Sequence, residues 1–202
     1  MSTSADVKRD VGRLQADEAV LFVCDVQERF RSMIHNFTAV VDTTNRLIRG
    51  AQLLDIPVIV TEQYPKALGR TVSELTSVLP PDTLSVDKTK FSMCIDPVWD
   101  ALRQRPAVRS VLVTGIEAHV CVFQTCLDLL EKGYAVHVLS DAVSSKRPED
   151  RSAALARLRD AGAWIVTSEM VLFQLMGNTS HPAFKNVSAL VKEDRPPLLP
   201  PQ

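Results

Sequence analysis

The sequence predicts a single doubly wound α/β domain: one mostly parallel sheet of about five or six strands flanked by helices, a Rossmann-like three-layer arrangement. Three observations predict it. Short, continuous apolar runs recur along the chain and end in polar residues, as strands covered on both faces do. Segments of helical period separate those runs, at lengths suited to right-handed crossovers. Glycine or proline punctuates most of the joints, and no internal repeat, low-complexity block or linker interrupts the alternation.

In chain order, Ala19 to Cys24 is the first apolar run, and Asp25 ends it. Val40, Leu47, Ile48, Ala51 and Leu54 then recur at helical spacing, with Arg46 and Arg49 on the other side, until Asp55-Ile56-Pro57 stops the helix. Val58 to Thr61 is the next strand. A looser stretch with Tyr64-Pro65, Leu68-Gly69 and Pro80-Pro81 follows, and Leu84 to Val86 reads as a short strand leading into Asp87 to Ser92. Val98 and Leu102 line a short helix ended near Pro106. Ser110 to Gly115 is a strand, and Val120 to Lys132 reads as a helix closed by Gly133 at C′. Ala135 to Leu139 is a strand ending at Ser140-Asp141. Pro148-Glu149-Asp150 opens a helix with acids at the positive end of its dipole, and Gly162 closes it. Ala163 to Val166 is the last strand, with helices from Glu169 to Met176 and from Phe184 to Lys192. The organisation expected is a flexible N-terminus (1–16), one domain (17–193) and a Pro-rich tail (194–202).

Composition narrows the function classes. The 202 residues are 46% hydrophobic and 23% charged, enough to bury a sizeable core. Lys plus Arg number 23 against 24 Asp plus Glu, a net charge of -1, so no basic field invites nucleic acid. No run of 18 apolar residues spans a membrane, and the opening stretch to Val20 lacks the apolar core of a secretory signal. Four cysteines without C-x-x-C spacing indicate reduced thiols and a cytoplasmic protein, with mitochondrial association left open. His35, His119, His137 and His181 are too scattered for a metal motif, and no glycine-rich phosphate loop occurs. Neither a metal nor a nucleotide cofactor is expected.

Ligands in such sheets bind beyond the carboxyl ends of strands. Cys121 lies there, across a short turn from the strand that ends at Thr114-Gly115 and in the opening turn of the next helix. Free N–H groups and the helix dipole stabilise a thiolate and can hold an oxyanion; the alternative is a buried structural cysteine. Cys126 and Cys24 read as core, and Cys94 is undecided. Asp25, at the end of the first strand, is a candidate acid or base, or else an N-cap or loop ion pair. A lysine between Asp25 and Cys121 would stabilise the thiolate, and spacing alone leaves Lys88 and Lys90 as equal choices.

With Asp25, a lysine in Asp87-Lys88-Thr89-Lys90-Phe91-Ser92, and Gly115-Ile116-Glu117-Ala118-His119-Val120-Cys121 in order, the chain resembles the isochorismatase-like cysteine hydrolases. It is closer to the isochorismatase-domain-containing proteins than to the nicotinamidases. The resemblance covers roughly residues 17–193 and is supported by Thr61 to Pro65 and Ser140 to Ser145. It implies a catalytic triad of Asp25, Lys88 and Cys121, choosing Lys88 over Lys90 because the family lysine precedes an aromatic-Ser pair by three residues. It also implies a cis peptide at Ile116–Glu117 that aims the N–H groups of Glu117 and Cys121 at an oxyanion. Thr61-Glu62-Gln63 stands where nicotinamidases carry an Asp-x-His metal cluster, so metal-assisted nicotinamide binding is not expected. Gln63, Tyr64, Phe91 and His119 are the expected substrate contacts. Siderophore-pathway isochorismatases lack the cysteine, so Cys121 argues against isochorismate as substrate. The expected activity is metal-free hydrolysis of a small amide or related carbonyl compound through a thioester, by a dimer or tetramer. The alternative is a catalytically silent binding or assembly protein on the same fold.

Overall fold

The structure, a computed structural model, describes residues 11–196. Six strands form one sheet: β1 (Ala19–Cys24), β2 (Val58–Gln63), β3 (Leu84–Lys88), β4 (Ser110–Ile116), β5 (Ala135–Ser144) and β6 (Trp164–Val166). Their order is β3-β2-β1-β4-β5-β6, and every neighbouring pair is parallel. The chain winds outward from β1 in one direction and from β4 in the other. The switch point therefore lies between the carboxyl ends of β1 and β4, where such sheets leave a crevice.

The helices are α1 (Phe37–Leu53), α2 (Pro65–Leu68), α3 (Ser73–Thr76), α4 (Asp96–Arg103), α5 (Phe123–Glu131), α6 (Pro148–Asp160), α7 (Ser168–Met176) and α8 (Phe184–Val191). They cover the sheet on both faces. Successive strand residues point to opposite faces, so β1 feeds two cores. Leu21 and Val23 pack with α1, α7 and α8, while Val20, Phe22 and Cys24 pack with α4, α5 and α6. That is why β1 reads as an unbroken apolar run. Phe22 is wholly buried, and burial of a side chain that size contributes about 1.5–3 kcal/mol.

Three local readings differ from the structure. The helix expected from Val120 to Lys132 begins earlier, as a wide π-helical turn over Ala118–Val122 that runs into α5. Strand β5 does not stop at Ser140-Asp141 but continues to Ser144. Its polar residues are satisfied in place: Ser140 Oγ donates to the Val166 carbonyl at 2.9 Å, and Asp141 accepts the Ser168 N–H at 2.9 Å. The loose stretch after β2 holds the one-turn helices α2 and α3, tied to the segment after β1 by an antiparallel bridge between Gln27 and Thr71. Within the N-terminal segment read as flexible, residues 1–10 lie outside the described residues, while Leu14 is buried in the α1-side core. Most of the Pro-rich tail, 197–202, also lies outside them. Among the described residues, no helix is long and apolar enough to cross a membrane.

Candidate active site

The site is assembled at the carboxyl ends of β1, β2, β3 and β4. Asp25 follows β1 with φ at 52°, in the left-handed region. In a regular strand Cys24 and Asp25 would point to opposite faces. The left-handed turn instead brings the carboxylate beside its neighbour, with Cys24 Sγ 3.6 Å from Asp25 Oδ2. Residue Thr61, in register with Cys24 on β2, donates its hydroxyl to Asp25 Oδ1 at 2.8 Å, and its carbonyl accepts the Asp25 N–H at 3.1 Å.

Lys88 enters from the end of β3 with its side chain fully buried. Its ammonium donates to Asp25 Oδ2 at 2.6 Å, to Gln63 Oε1 at 2.7 Å, to the Phe91 carbonyl at 2.7 Å and to the Lys90 carbonyl at 3.2 Å. Two residues on, Lys90 points outward, 2.7 Å from Asp128 and half exposed. Tertiary structure thus separates two lysines that spacing left equivalent.

From the other side comes β4, whose penultimate residue, Gly115, pairs with Cys24 across the ladder. A Cβ at Gly115 would stand 2.0 Å from the Cys24 carbonyl oxygen, and its φ is +109°, so only glycine allows the two backbones to meet. The Ile116–Glu117 peptide is cis. Cys121 then sits in the π-helical turn, 7% exposed, in the same buried cluster as Cys24 and close enough to lower Asp25 and raise Cys24. Thr125 fixes that turn: its hydroxyl donates to the Cys121 carbonyl at 2.6 Å and accepts the Met93 N–H at 2.8 Å.

The electrostatics follow from burial. Burial pushes the Asp25 carboxyl above its ordinary value, against the opposing pull of Lys88, Thr61 and Cys121. Burial alone would lower the Lys88 ammonium, but the acidic groups around it, Cys24, Asp25 and Cys121, hold it above its ordinary value. Cys24 is wholly desolvated and its thiol is pushed well up, reinforced by Cys121 and Asp25. Burial also raises Cys94, to about 12, and raises Cys126.

The remaining expected contacts lie around this cluster in different ways. Tyr64 and Phe91 are each about half exposed. Tyr64 lines a cavity of about 400 Å³ with Pro65, Lys66, Lys88, Lys90 and Ile95. His119 is one-third exposed and its Nδ1 pairs with Ser145 Oγ at 2.9 Å. Gln63 is engaged at both ends of its amide, accepting from Lys88 and donating to the Thr89 carbonyl at 2.9 Å. Its neighbour Glu62 accepts from the Thr71 N–H at 2.6 Å and from Arg70 at 2.6 Å. Among the described residues, no group of three or more His, Cys, Asp or Glu side chains is placed to hold a metal ion. A larger cavity of about 620 Å³ lies at the opposite end of the sheet, against Ala19, Val58 and Val108, away from these groups.

Sequence reasoning missed three supports. Thr61 carries a signal in its position at a strand end beside Asp25. Gln27 carries no signal in its type, but its buried amide ties the turn after β1 to the end of β2, donating to the Gln63 carbonyl at 2.9 Å and accepting the Gln63 N–H at 2.6 Å. Cys24 reads as core, and nothing in an apolar run marks its thiol as a neighbour of Asp25.

A six-stranded parallel sheet with this polar cluster at its switch point defines a hydrolase fold of the isochorismatase type. A family model described as the Isochorismatase domain matches residues 19–170, and the chain belongs to that family. It is 48% identical over 196 residues to the secreted isochorismatase effector Isc1 of Phytophthora sojae, covering 96% of this chain and 93% of that one. It is 46% identical over 193 residues to human isochorismatase domain-containing protein 2, covering 95% and 92%. Among solved structures, it superposes on the MAR1 ribonuclease of Caenorhabditis elegans with a TM-score of 0.89 at 48% identity, covering 94% and 98%.

Proposed function

We propose that this chain is a cysteine hydrolase of small amides or related carbonyl compounds, with Cys121 as nucleophile, Asp25 as proton carrier and Lys88 as fixed positive charge. The observation that carries the reading is the buried Lys88–Asp25 pair, 2.6 Å apart, at the thiol of Cys121. Asp25 takes the thiol proton, and the thiolate attacks the carbonyl carbon. The oxyanion is held by the N–H groups of Glu117 and Cys121, the second of which lies near the positive end of the helical run. Asp25 returns the proton to the departing amine, leaving a thioester. Water, deprotonated by Asp25, attacks the thioester, and the acid product leaves as Cys121 is restored. A carboxyl raised by burial is a stronger base than an ordinary one, which suits it to a thiol. Tyr64 and Phe91 form the rim over which substrate enters, and Gln63 holds Lys88 in place.

The test is a panel of small amides and esters, with a short RNA included because one similar structure is that of a ribonuclease. Turnover by wild type and its loss in Cys121→Ala and Asp25→Asn support the triad. Turnover unchanged in Cys121→Ala overturns it. No turnover of any compound by wild type favours a non-catalytic binding protein on the same fold.

A further inference from the structure

Cys24 has no part in the hydrolytic scheme, yet its thiol is built into the same cluster. It is fully buried, 3.6 Å from Asp25 Oδ2, and in the same buried cluster as Cys121, which helps to raise its thiol. Backbone geometry explains the approach. Cys24 ends β1 directly beside Gly115 of β4, the missing Cβ lets the chains touch, and the turn bearing Cys121 starts just beyond β4. A cysteine that keeps 7% of its surface, one that keeps none, and a carboxylate beside them are the parts of a resolving pair. Among the four free cysteines, the others lack this arrangement: Cys94 Sγ faces the Thr125 carbonyl at 3.9 Å, and Cys126 is wholly buried in the α5-side core.

We infer that Cys121 and Cys24 form a hydroperoxide-reactive dithiol site, in which Cys24 captures oxidised Cys121 as an intramolecular disulfide. In the first step the Cys121 thiolate attacks the terminal oxygen of a hydroperoxide. The O–O bond breaks, and the leaving alkoxide takes the proton that Asp25 removed from the thiol, giving a sulfenic acid and an alcohol. In the second step Asp25 removes the Cys24 proton, and that sulfur attacks the Cys121 sulfur. The S–O bond breaks, and hydroxide leaves as water with the proton from Asp25. Two thiols and one hydroperoxide thus become one disulfide, one alcohol and one water. The site is held in a reversible state instead of passing to sulfinic acid, and an external dithiol restores it. This inference rests on Cys121 being the reactive thiol of the proposed function, but not on any hydrolysis.

The experiment exposes the reduced full-length protein to hydrogen peroxide, caps remaining thiols, and reads intact mass and linked peptides. Wild type is expected to lose two of its four thiols and two hydrogen atoms of mass, yield a Cys24–Cys121 peptide, and recover fully with dithiothreitol. Cys24→Ser and Cys24→Ala are expected to gain oxygen on Cys121 that dithiothreitol does not remove. Wild type that gains oxygen on Cys121 as the variants do, or links any other pair, overturns the inference. Iodoacetamide labelling of the same reduced samples separates the two ideas. Cys121 that labels but never links sinks the dithiol site alone, whereas Cys121 that neither labels nor oxidises sinks the proposed nucleophile with it.

Discussion

Lys88→Met removes a buried charge while keeping most of the apolar stem that carries it. Asp25 Oδ2, Gln63 Oε1 and two backbone carbonyls each lose a donor. At the 2.6 Å separation of Lys88 and Asp25, with an effective dielectric of about 20, the lost attraction is about 6 kcal/mol before desolvation. The variant no longer buries an ammonium, and the desolvation cost so avoided offsets part of it. Removal of one partner from a buried pair leaves a net loss of about 3–5 kcal/mol. Each kcal/mol shifts the melting temperature of a domain this size by about 2–4 °C, so at neutral pH the variant should melt about 6–20 °C below wild type. The pH dependence has a definite sign. Burial already raises Asp25 in the folded protein, and loss of Lys88 raises it further while the unfolded value stays put. A carboxyl with a raised folded value stabilises where it is protonated, below its unfolded value, and that contribution is lost as pH rises through the folded value. The deficit of the variant is therefore smaller in mild acid than at neutral pH. Addition of Asp25→Asn removes the stranded charge and should return part of the loss. Urea denaturation of wild type, both single variants and the double variant, at neutral pH and in mild acid, measures all of this. A Lys88→Met deficit under about 1 kcal/mol, or a double variant no more stable than Lys88→Met, would refute the buried-pair account.

Native thiol labelling near neutral pH should modify Cys121 first, while Cys94, raised to about 12, and the buried Cys126 react only on unfolding; equal rates at Cys121 and Cys94, followed by peptide mass spectrometry, would count against an activated thiol. Thr61→Val removes the hydroxyl that holds Asp25 down, at a cost of about 1–3 kcal/mol. The Asp25 value then rises, so the acid limb of Cys121 alkylation should move to higher pH; a limb that moves lower or stays put contradicts the assigned base. Gly115→Ala sets a methyl 2.0 Å from the Cys24 carbonyl at a φ of +109°, and should cost about 3 kcal/mol or more, seen as lost soluble yield or a lowered melt. Arg31→Ala breaks the exposed bridges to Glu28 and Glu74. Glu74, held at about 2 by Arg31, contributes stability above its unfolded value that is lost as pH falls through the folded one. Being half exposed, it should cost less than about 1 kcal/mol at neutral pH and nothing measurable in strong acid.

Much of this protein is legible without coordinates. A strand covered on both faces must be apolar throughout, so β1 and β4 announce themselves as unbroken runs, and helices of period 3.6 must lie between parallel strands because the crossover requires them. Strand order was not legible, since every parallel pair presents the same apolar faces to a sequence reader. The length of β5 escaped for a related reason: Ser140 and Asp141 look like a strand end until Val166 and Ser168 supply their partners.

Local sequence also placed Asp25, the lysine pair and Cys121 at strand ends, because position along the chain decides which end of the sheet a residue occupies. Direction is another matter. Lys88 and Lys90 are two residues apart and alike in chemistry, and only the packed structure turns one inward to Asp25 and the other outward to Asp128. Cys24 is the clearest case. Composition and alternation make it a core residue. The left-handed backbone at Asp25 and the close approach of Gly115 place its thiol beside a carboxylate and a second thiol. Which residues reach the site follows from the chain's own periodicity; which atoms meet there depends on backbone turns and contacts between distant strands, and these exist only after the chain has folded.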